Sequence, residues 1–190
     1  MFDIWMRLLV AIPGSVLWLV EDSVTASNNL RSEASRRGVS PDRLIFAPKV
    51  KLADHLARHR LADLALDTLP YNAHTTASDA LWVGVPLVTC LGSTFAGRVA
   101  ASLLRASGLD ELTTKSLQDY EALALNLVRN PAALELVRSK LVNNRNNNPL
   151  FNTRQFTRSI ESAFEIMSNR FRNGMQPMSF SVNPGANGHV

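Results

Sequence analysis

The sequence predicts an α/β protein: a doubly wound parallel sheet followed by C-terminal helices. Three observations carry that prediction. Short apolar runs alternate with helical segments almost without exception. The runs are near-continuous rather than apolar/polar alternating, as in strands buried on both faces. Gly or Pro punctuates most of the junctions. With 190 residues the chain is long enough for one domain with a real core.

The elements follow in order. Asp3 to Ala11 has apolar residues at helical spacing and stops at Pro13-Gly14. Ser15 to Val20 (SVLWLV) is an apolar run after a turn and reads as a buried strand. Thr25 to Arg37 is a polar helix with Gly38 in the position that favours positive φ. Leu44-Ile45-Phe46 is a second strand, and Lys51 to Arg60 a helix. Ala62 to Asp67 (ADLALD) is a third strand, Thr75 to Val83 a helix closed by Gly84, and Pro86 to Thr89 a fourth strand. Phe95 to Ser107 is a helix ended by Gly108, and Glu111-Leu112 a short fifth strand. Leu117 to Arg129 and Pro131 to Asn143 are helices, with Pro131 suited to a first helical position. Asn143 to Asn148 (NNRNNN) reads as a linker or helix end. Asn152 to Asn169 is an amphipathic helix with Phe156, Ile160, Phe164 and Met167 on one face. Residues 1–170 thus form the domain. Residues 171–190, rich in breakers and without an acidic residue after Arg172, are expected to be a disordered tail.

Composition narrows the function. Lys plus Arg number 20 and Asp plus Glu 16. Residues 1–140 hold 15 basic and 14 acidic residues, and the last 50 hold 5 and 2. Most of the excess therefore sits near the C-terminus, and the body lacks the basic stripe that tracks nucleic-acid phosphates. No nucleic-acid partner is expected. The longest apolar run, Leu8 to Val20, is broken by Pro13-Gly14, and no membrane span or signal peptide is expected. A single cysteine, Cys90, excludes an internal disulfide framework and fits a reducing cytoplasm.

The stretch Asp67 to Trp82 (DTLPYNAHTTASDALW) is the most informative for chemistry. It leaves a strand, crosses a loop and enters a helix, with Thr75 where an N-cap belongs. First-turn amides are unpaired and the helix dipole favours an anion there. Thr75 and Thr76 can add hydroxyl donors to a phosphate oxygen, and His74 lies just before them. Asp79, one turn in on the same face, could order the turn or hold a ribose hydroxyl. A plain capped helix is the other reading. No GxxxxGK[ST] is present, so P-loop hydrolysis is not supported. Pro48 to His59 (PKVKLADHLARH) follows another strand and shares the same rim. Lys49 and Lys51 bring charge, and His55 and Arg58, three apart on one helix face, could meet a diphosphate or a base edge. A solvated basic helix is the alternative. His55, His59 and His74 lack zinc-like spacing, and no metal is expected. Cys90 reads as a buried small residue, and Trp5, Trp18 and Trp82 as core. Gly92 to Gly97 is a tight turn whose backbone could approach a phosphate.

The strings NAHTTASDALWVGVPLVTCLGSTFAGRVAASLL, GLDEL, DYEALAL and NPLFNTRQFTRSIESAF resemble the C-terminal half of the O-linked N-acetylglucosamine transferase catalytic region, the group that includes the SPINDLY-type proteins. The resemblance runs from about Trp5 to Met167, and HTT-x-x-D-x-LW-x-G-x-P-x-VT is its most specific part. It implies the Rossmann-like C-terminal half of a GT-B glycosyltransferase, binding a nucleotide-sugar donor such as UDP-GlcNAc for transfer to Ser or Thr of acceptor proteins. It implies that His74, Thr75 and Thr76 hold the diphosphate and Asp79 the ribose. Val50 would contact the base by its backbone, with His55 and Arg58 lining the same pocket. Relatives carry a base-stacking lysine at the position of Leu52; here Lys51 stands one residue earlier.

The resemblance also implies what lies outside this sequence: a phosphate-neutralising lysine ahead of the first helix, the N-terminal catalytic domain and the tetratricopeptide repeats. The chain is therefore expected to hold no catalytic residue of its own. It should be inactive alone and need a separate chain for the other half. A non-catalytic nucleotide-sugar-binding or protein-interaction module, or a degenerate fragment, is the alternative. The sugar and base (UDP or GDP) stay open.

Overall fold

The computed structural model describes residues 1–145 and 148–182. Five parallel strands alternate with helices through the first two thirds of the chain: α1 (Phe2–Ala11), β1 (Leu17–Val20), α2 (Val24–Arg36), β2 (Leu44–Ala47), α3 (Leu52–His59), β3 (Ala65–Leu66), α4 (Thr75–Trp82), β4 (Leu87–Cys90), α5 (Val99–Ala106) and β5 (Thr113–Thr114). Three helices follow: α6 (Leu117–Arg129), α7 (Pro131–Asn144) and α8 (Thr153–Arg172). This is the predicted α/β architecture. The hydrogen-bonded ladder is divided, with β1 beside β2 in one sheet and β3-β4-β5 in order in the other. Leu17 pairs with Leu44, Ala65 with Leu87 and Thr89 with Thr113, all in parallel register.

β4 is buried at all four positions, so both its faces are covered. This is why Leu87-Val88-Thr89-Cys90 reads as a continuous apolar run with no polar face. The main core gathers Val88, Leu104, Leu109, Tyr120 and Leu141, with α1 contributing Ile4 and Leu8. A second cluster, Met6, Leu9, Ala34, Val39 and Leu44, joins α1, α2 and β2. Arg43 fastens the turn before β1, donating to the carbonyls of Ile12 at 2.9 Å and Ser15 at 2.8 Å. Gly38 (φ 75°) and Gly84 (φ 88°) close α2 and α4 in the left-handed region that residues with a Cβ avoid.

Several expectations need correction. ADLALD yields only the two-residue β3, because the amides of Leu61 and Ala62 close a turn onto Arg58 and His59. The carbonyls of Ala62 and Asp63 in turn accept bonds from Arg138. Glu111-Leu112 is not a strand. It is a 3-10 turn over Asp110–Leu112, and the strand is the adjoining Thr113–Thr114. Phe95 to Arg98 form an irregular turn, so α5 begins at Val99. Asn143 and Asn144 finish α7, and Asn148 is buried and caps the turn Pro149–Phe151. Of the NNRNNN linker, residues 146–147 lie outside the described residues, as do residues 183–190 of the expected tail. Trp82 is exposed rather than core, lying edge-on to Phe151 with Arg145 over its ring. α8 is a helix as predicted, but its stripe of Phe156, Ile160, Phe164 and Met167 is exposed. The side of α8 that is half covered carries Gln155, Ser159, Ser162 and Ala163. No helix among the described residues is long and apolar enough to cross a membrane.

Candidate functional site

Parallel α/β sheets place their ligand loops at the carboxyl ends of the strands. Here three such loops matter: 48–51 after β2, 67–74 after β3 and 91–98 after β4. α3, α4 and α5, which these loops enter, all start without a side-chain cap. By contrast, Ser23, Ser116, Asn130 and Asn152 cap α2, α6, α7 and α8. At α4 the capping position belongs to His74 and not, as the sequence suggested, to Thr75. The earliest turn of α4 closes with the Ser78 amide donating to the His74 carbonyl at 3.1 Å. The amides of Thr75, Thr76 and Ala77 therefore precede any intrahelical acceptor, at the positive end of the helix. Thr75 and Thr76 are exposed, so their hydroxyls are available beside those amides.

The loop before α4 is held from within. The Thr68 hydroxyl donates to the Tyr71 carbonyl at 2.6 Å, and the Asn72 side chain donates to the Thr68 carbonyl at 2.8 Å. The Asn72 amide reaches the Ala96 carbonyl at 2.9 Å, which ties this loop to the next one. Gly92 and Gly97 sit in close backbone contact, Gly92 against its own turn and Gly97 against the 67–74 loop. A Cβ on Gly92 would lie 2.9 Å from the Gly97 oxygen, and one on Gly97 3.0 Å from the Pro70 oxygen. The Gly92–Gly97 turn thus packs against the 67–74 loop. It also holds the His74 ring, whose Nε2 lies 3.4 Å from the Ala96 carbonyl. Tyr71 stacks on that ring at 4.8 Å between centroids, and Phe95 approaches it edge-on at 6.3 Å.

α3 supplies the other wall. His55 Nε2 lies 3.9 Å from Asp79 Oδ2, so the His55 and Asp79 predicted on separate grounds do converge. That distance is too long for a direct hydrogen bond. Burial, then the neighbouring His59 and Arg58, hold the His55 imidazole below its ordinary 6.5, while Asp79 opposes them. The His59 ring lies edge-on to His55 at 4.3 Å. Arg58 turns back onto its own loop: one guanidinium nitrogen donates to the Pro48 carbonyl at 2.6 Å, and the other sits 3.3 Å from His55 Nδ1. Its guanidinium also lies 5.9 Å from the Trp18 ring. Arg58 therefore braces the loop carrying Val50 and Lys51 and lies beside His55. Val50, Lys51 and Leu52 are all exposed at the start of α3. Lys49 pairs with Asp22 at 3.3 Å.

Sequence reasoning left Asp67, Tyr71 and Phe95 without a role. A carboxylate ending an apolar strand and aromatics in strand-to-helix loops were the available signals. Two concavities lie away from this face, one by Asp3, Met6, Arg7, Val10 and Arg37, the other between Arg60, Gly84 and Arg138. Among the described residues no group of three or more His, Cys, Asp and Glu side chains converges as a metal site requires.

An uncapped helix start bearing His-Thr-Thr, with an acidic residue one turn on facing a second uncapped helix, is an arrangement suited to a diphosphate with an attached sugar ring. Known proteins resemble the chain over most of its length. The model of glycosyl transferase family 41 matches residues 1–160. The chain belongs to that family. The family 41 chain is 36% identical over 179 residues to the probable UDP-N-acetylglucosamine–peptide N-acetylglucosaminyltransferase SEC of Arabidopsis thaliana, covering 94% of this chain and 18% of that protein. The UDP-N-acetylglucosamine–peptide N-acetylglucosaminyltransferase of Caenorhabditis elegans is 35% identical over 173 residues, 91% of this chain and 15% of that one. Among solved structures, a point mutant of the Thermobaculum terrenum O-GlcNAc transferase superposes with a TM-score of 0.83 at 36% identity, covering 87% of this chain and 32% of that chain. This fold is therefore the one seen in part of a GT-B transferase. The chain spans less than a fifth of the length of these two curated relatives.

Proposed function

We propose that this family 41 chain is the donor-binding part of a protein O-glycosyltransferase, holding UDP-GlcNAc for transfer to Ser or Thr hydroxyls of acceptor proteins. The observation that carries the proposal is the uncapped start of α4, with His74, Thr75 and Thr76 beside the His55–Asp79 pair. In this reading the diphosphate sits on the amides of Thr75, Thr76 and Ala77, with the two hydroxyls as further donors. The 3.9 Å between His55 and Asp79 leaves both groups bonding capacity for a ribose hydroxyl between them. The base lies toward Val50, Lys51 and Leu52, on the loop that Arg58 braces. The names of the relatives, which are UDP-N-acetylglucosamine–peptide transferases, support the donor and the protein acceptor.

The chemical task at such a site is to stabilise the charge that grows on the departing diphosphate. Preorganised amides, hydroxyls and imidazoles can do that at low reorganisation cost, so the proposal includes no metal. The attacking hydroxyl would come from the acceptor protein, and the rest of the cleft from polypeptide outside this sequence, in the same chain or in a separate one. Cys90, a buried free thiol, supports a cytoplasmic setting.

Calorimetric titration of the full chain with UDP and with GDP tests the reading. UDP binding that falls about tenfold in a Thr75→Ala/Thr76→Ala variant is expected. Equal binding by the variant, or GDP preferred over UDP, would overturn the assignment of site or base.

A further inference from the structure

We propose that Asp67 is a positioning residue for the donor site: its carboxylate holds the Ala73 amide and thereby fixes the direction in which the chain enters α4. The proposal rests on the reading of α4 as the diphosphate site. Asp67 follows β3 and is 2% exposed. Its Oδ1 accepts the Ala73 amide at 2.6 Å, and its Oδ2 accepts the Thr89 hydroxyl at 2.5 Å. Its own carbonyl accepts the Tyr120 hydroxyl at 2.9 Å, and its amide donates to the Val88 carbonyl at 3.0 Å. Thr89 is in turn bonded through its carbonyl to the Thr114 hydroxyl at 3.0 Å. The residue is thus fastened to β4 and α6 on one side and grips the loop on the other.

The cost of this arrangement argues for a purpose. Removing a carboxylate from water is unfavourable unless its oxygens are bonded. Burial does push the Asp67 carboxyl above its ordinary range, and the Ala73 and Thr89 bonds oppose that push. Elsewhere the loop closes only on itself and on its neighbour, through Thr68, Asn72 and Ala96. The Asp67–Ala73 bond is the tie between the last loop residue before His74 and the rigid end of β3. Anion recognition by amides depends on their placement to within a fraction of an ångström, so this tie sets affinity without touching ligand.

The test compares Asp67→Ala, Asp67→Asn and Thr89→Val in the full chain. UDP affinity and amide hydrogen exchange at Ala73 and Ser78 are the two readouts, with thermal midpoints alongside. Asn retains an oxygen for the Ala73 amide, whereas Ala does not. Expected are an Asp67→Ala affinity loss on the order of tenfold, faster exchange at Ala73 and Ser78, and near-native affinity and exchange for Asp67→Asn and Thr89→Val, the latter with a lower thermal midpoint because Oδ2 loses its donor. Asp67→Ser keeps a hydroxyl near Thr89 but is too short to span to Ala73, and it repeats the test if Asp67→Ala does not fold. Native exchange at Ala73 in both short variants overturns the proposal. So does an equal affinity loss in Thr89→Val, which would make general packing the cause. If the unaltered chain binds no UDP, the donor-site reading fails. The exchange data then decide the Asp67 role alone.

Discussion

His55 on α3 and Asp79 on α4 face each other at 3.9 Å across the candidate site, although neither carries a direct hydrogen bond to the other. The His55 imidazole is held below its ordinary 6.5 by burial and by His59 and Arg58. Between that lowered value and 6.5 the unfolded chain binds more protons than the folded one. Stability must therefore rise as pH rises through the window and fall as pH drops through it. Thermal midpoints measured between about pH 5 and 7 should show this slope, flattened in His55→Gln. An unchanged slope in the variant would mean that His55 is not the source of the pH dependence.

A bound diphosphate adds negative charge beside the same imidazole and favours its protonated form. UDP binding below about pH 6.5 should therefore take up protons. Calorimetry in buffers of different ionisation enthalpy reads that uptake directly, and His55→Gln should reduce it.

Asp67 gives the opposite sign. Its carboxyl is raised from 3.8 by burial, so the folded chain holds the extra proton. Stability contributed through this group falls as pH rises from 3.8 through its raised value. Asp67→Asn cannot titrate, so the difference in unfolding midpoint between the unaltered chain and this variant should shift in the variant's favour over that interval.

The glycines of the 91–98 loop should be far less replaceable than those that end helices in open space. Gly92→Ala meets backbone at 2.9 Å. It should cost about 1–3 kcal/mol in urea unfolding and weaken UDP binding as well. Gly38→Ala has open space but a φ of 75°, and should cost only about 1 kcal/mol with binding unchanged.

The apolar stripe of α8 contributes little to the stability of this chain, because it is uncovered. Phe164, 59% exposed, can be replaced by Gln within about 0.5 kcal/mol. Leu104→Ala, fully buried against β4, should cost about 2–5 kcal/mol in the same unfolding experiment.

Much of this architecture is written locally. Apolar runs such as Leu87 to Cys90 mark buried strands, and Gly38, Gly84 and Gly108 mark helix ends through φ values that only glycine adopts cheaply. The Asp67–Trp82 stretch is legible as a loop entering an anion-favouring helix because both its turn residues and its helix start are local signals. What escaped depends on distant partners. The length of β3 is limited by a turn whose carbonyls Arg138 claims from α7. The start of β5 depends on which residues reach Thr89 and Cys90. Arg58 reads in sequence as a helix-face cation that could meet a diphosphate or a base edge, or only solvent, yet it spends one bond on Pro48, ten residues earlier. Amphipathic spacing predicts α8 correctly as a helix but cannot say whether its apolar face has a partner.

The most direct measurement is amide and imidazole shift mapping of the full chain by NMR during titration with UDP. The largest changes should fall at the amides of Thr75, Thr76 and Ala77 and at the rings of His55 and His74, with smaller ones at Val50 to Leu52. Shifts centred instead on the concavity by Asp3, Arg7 and Arg37, or no shifts at all in the folded protein, would contradict the donor-site assignment.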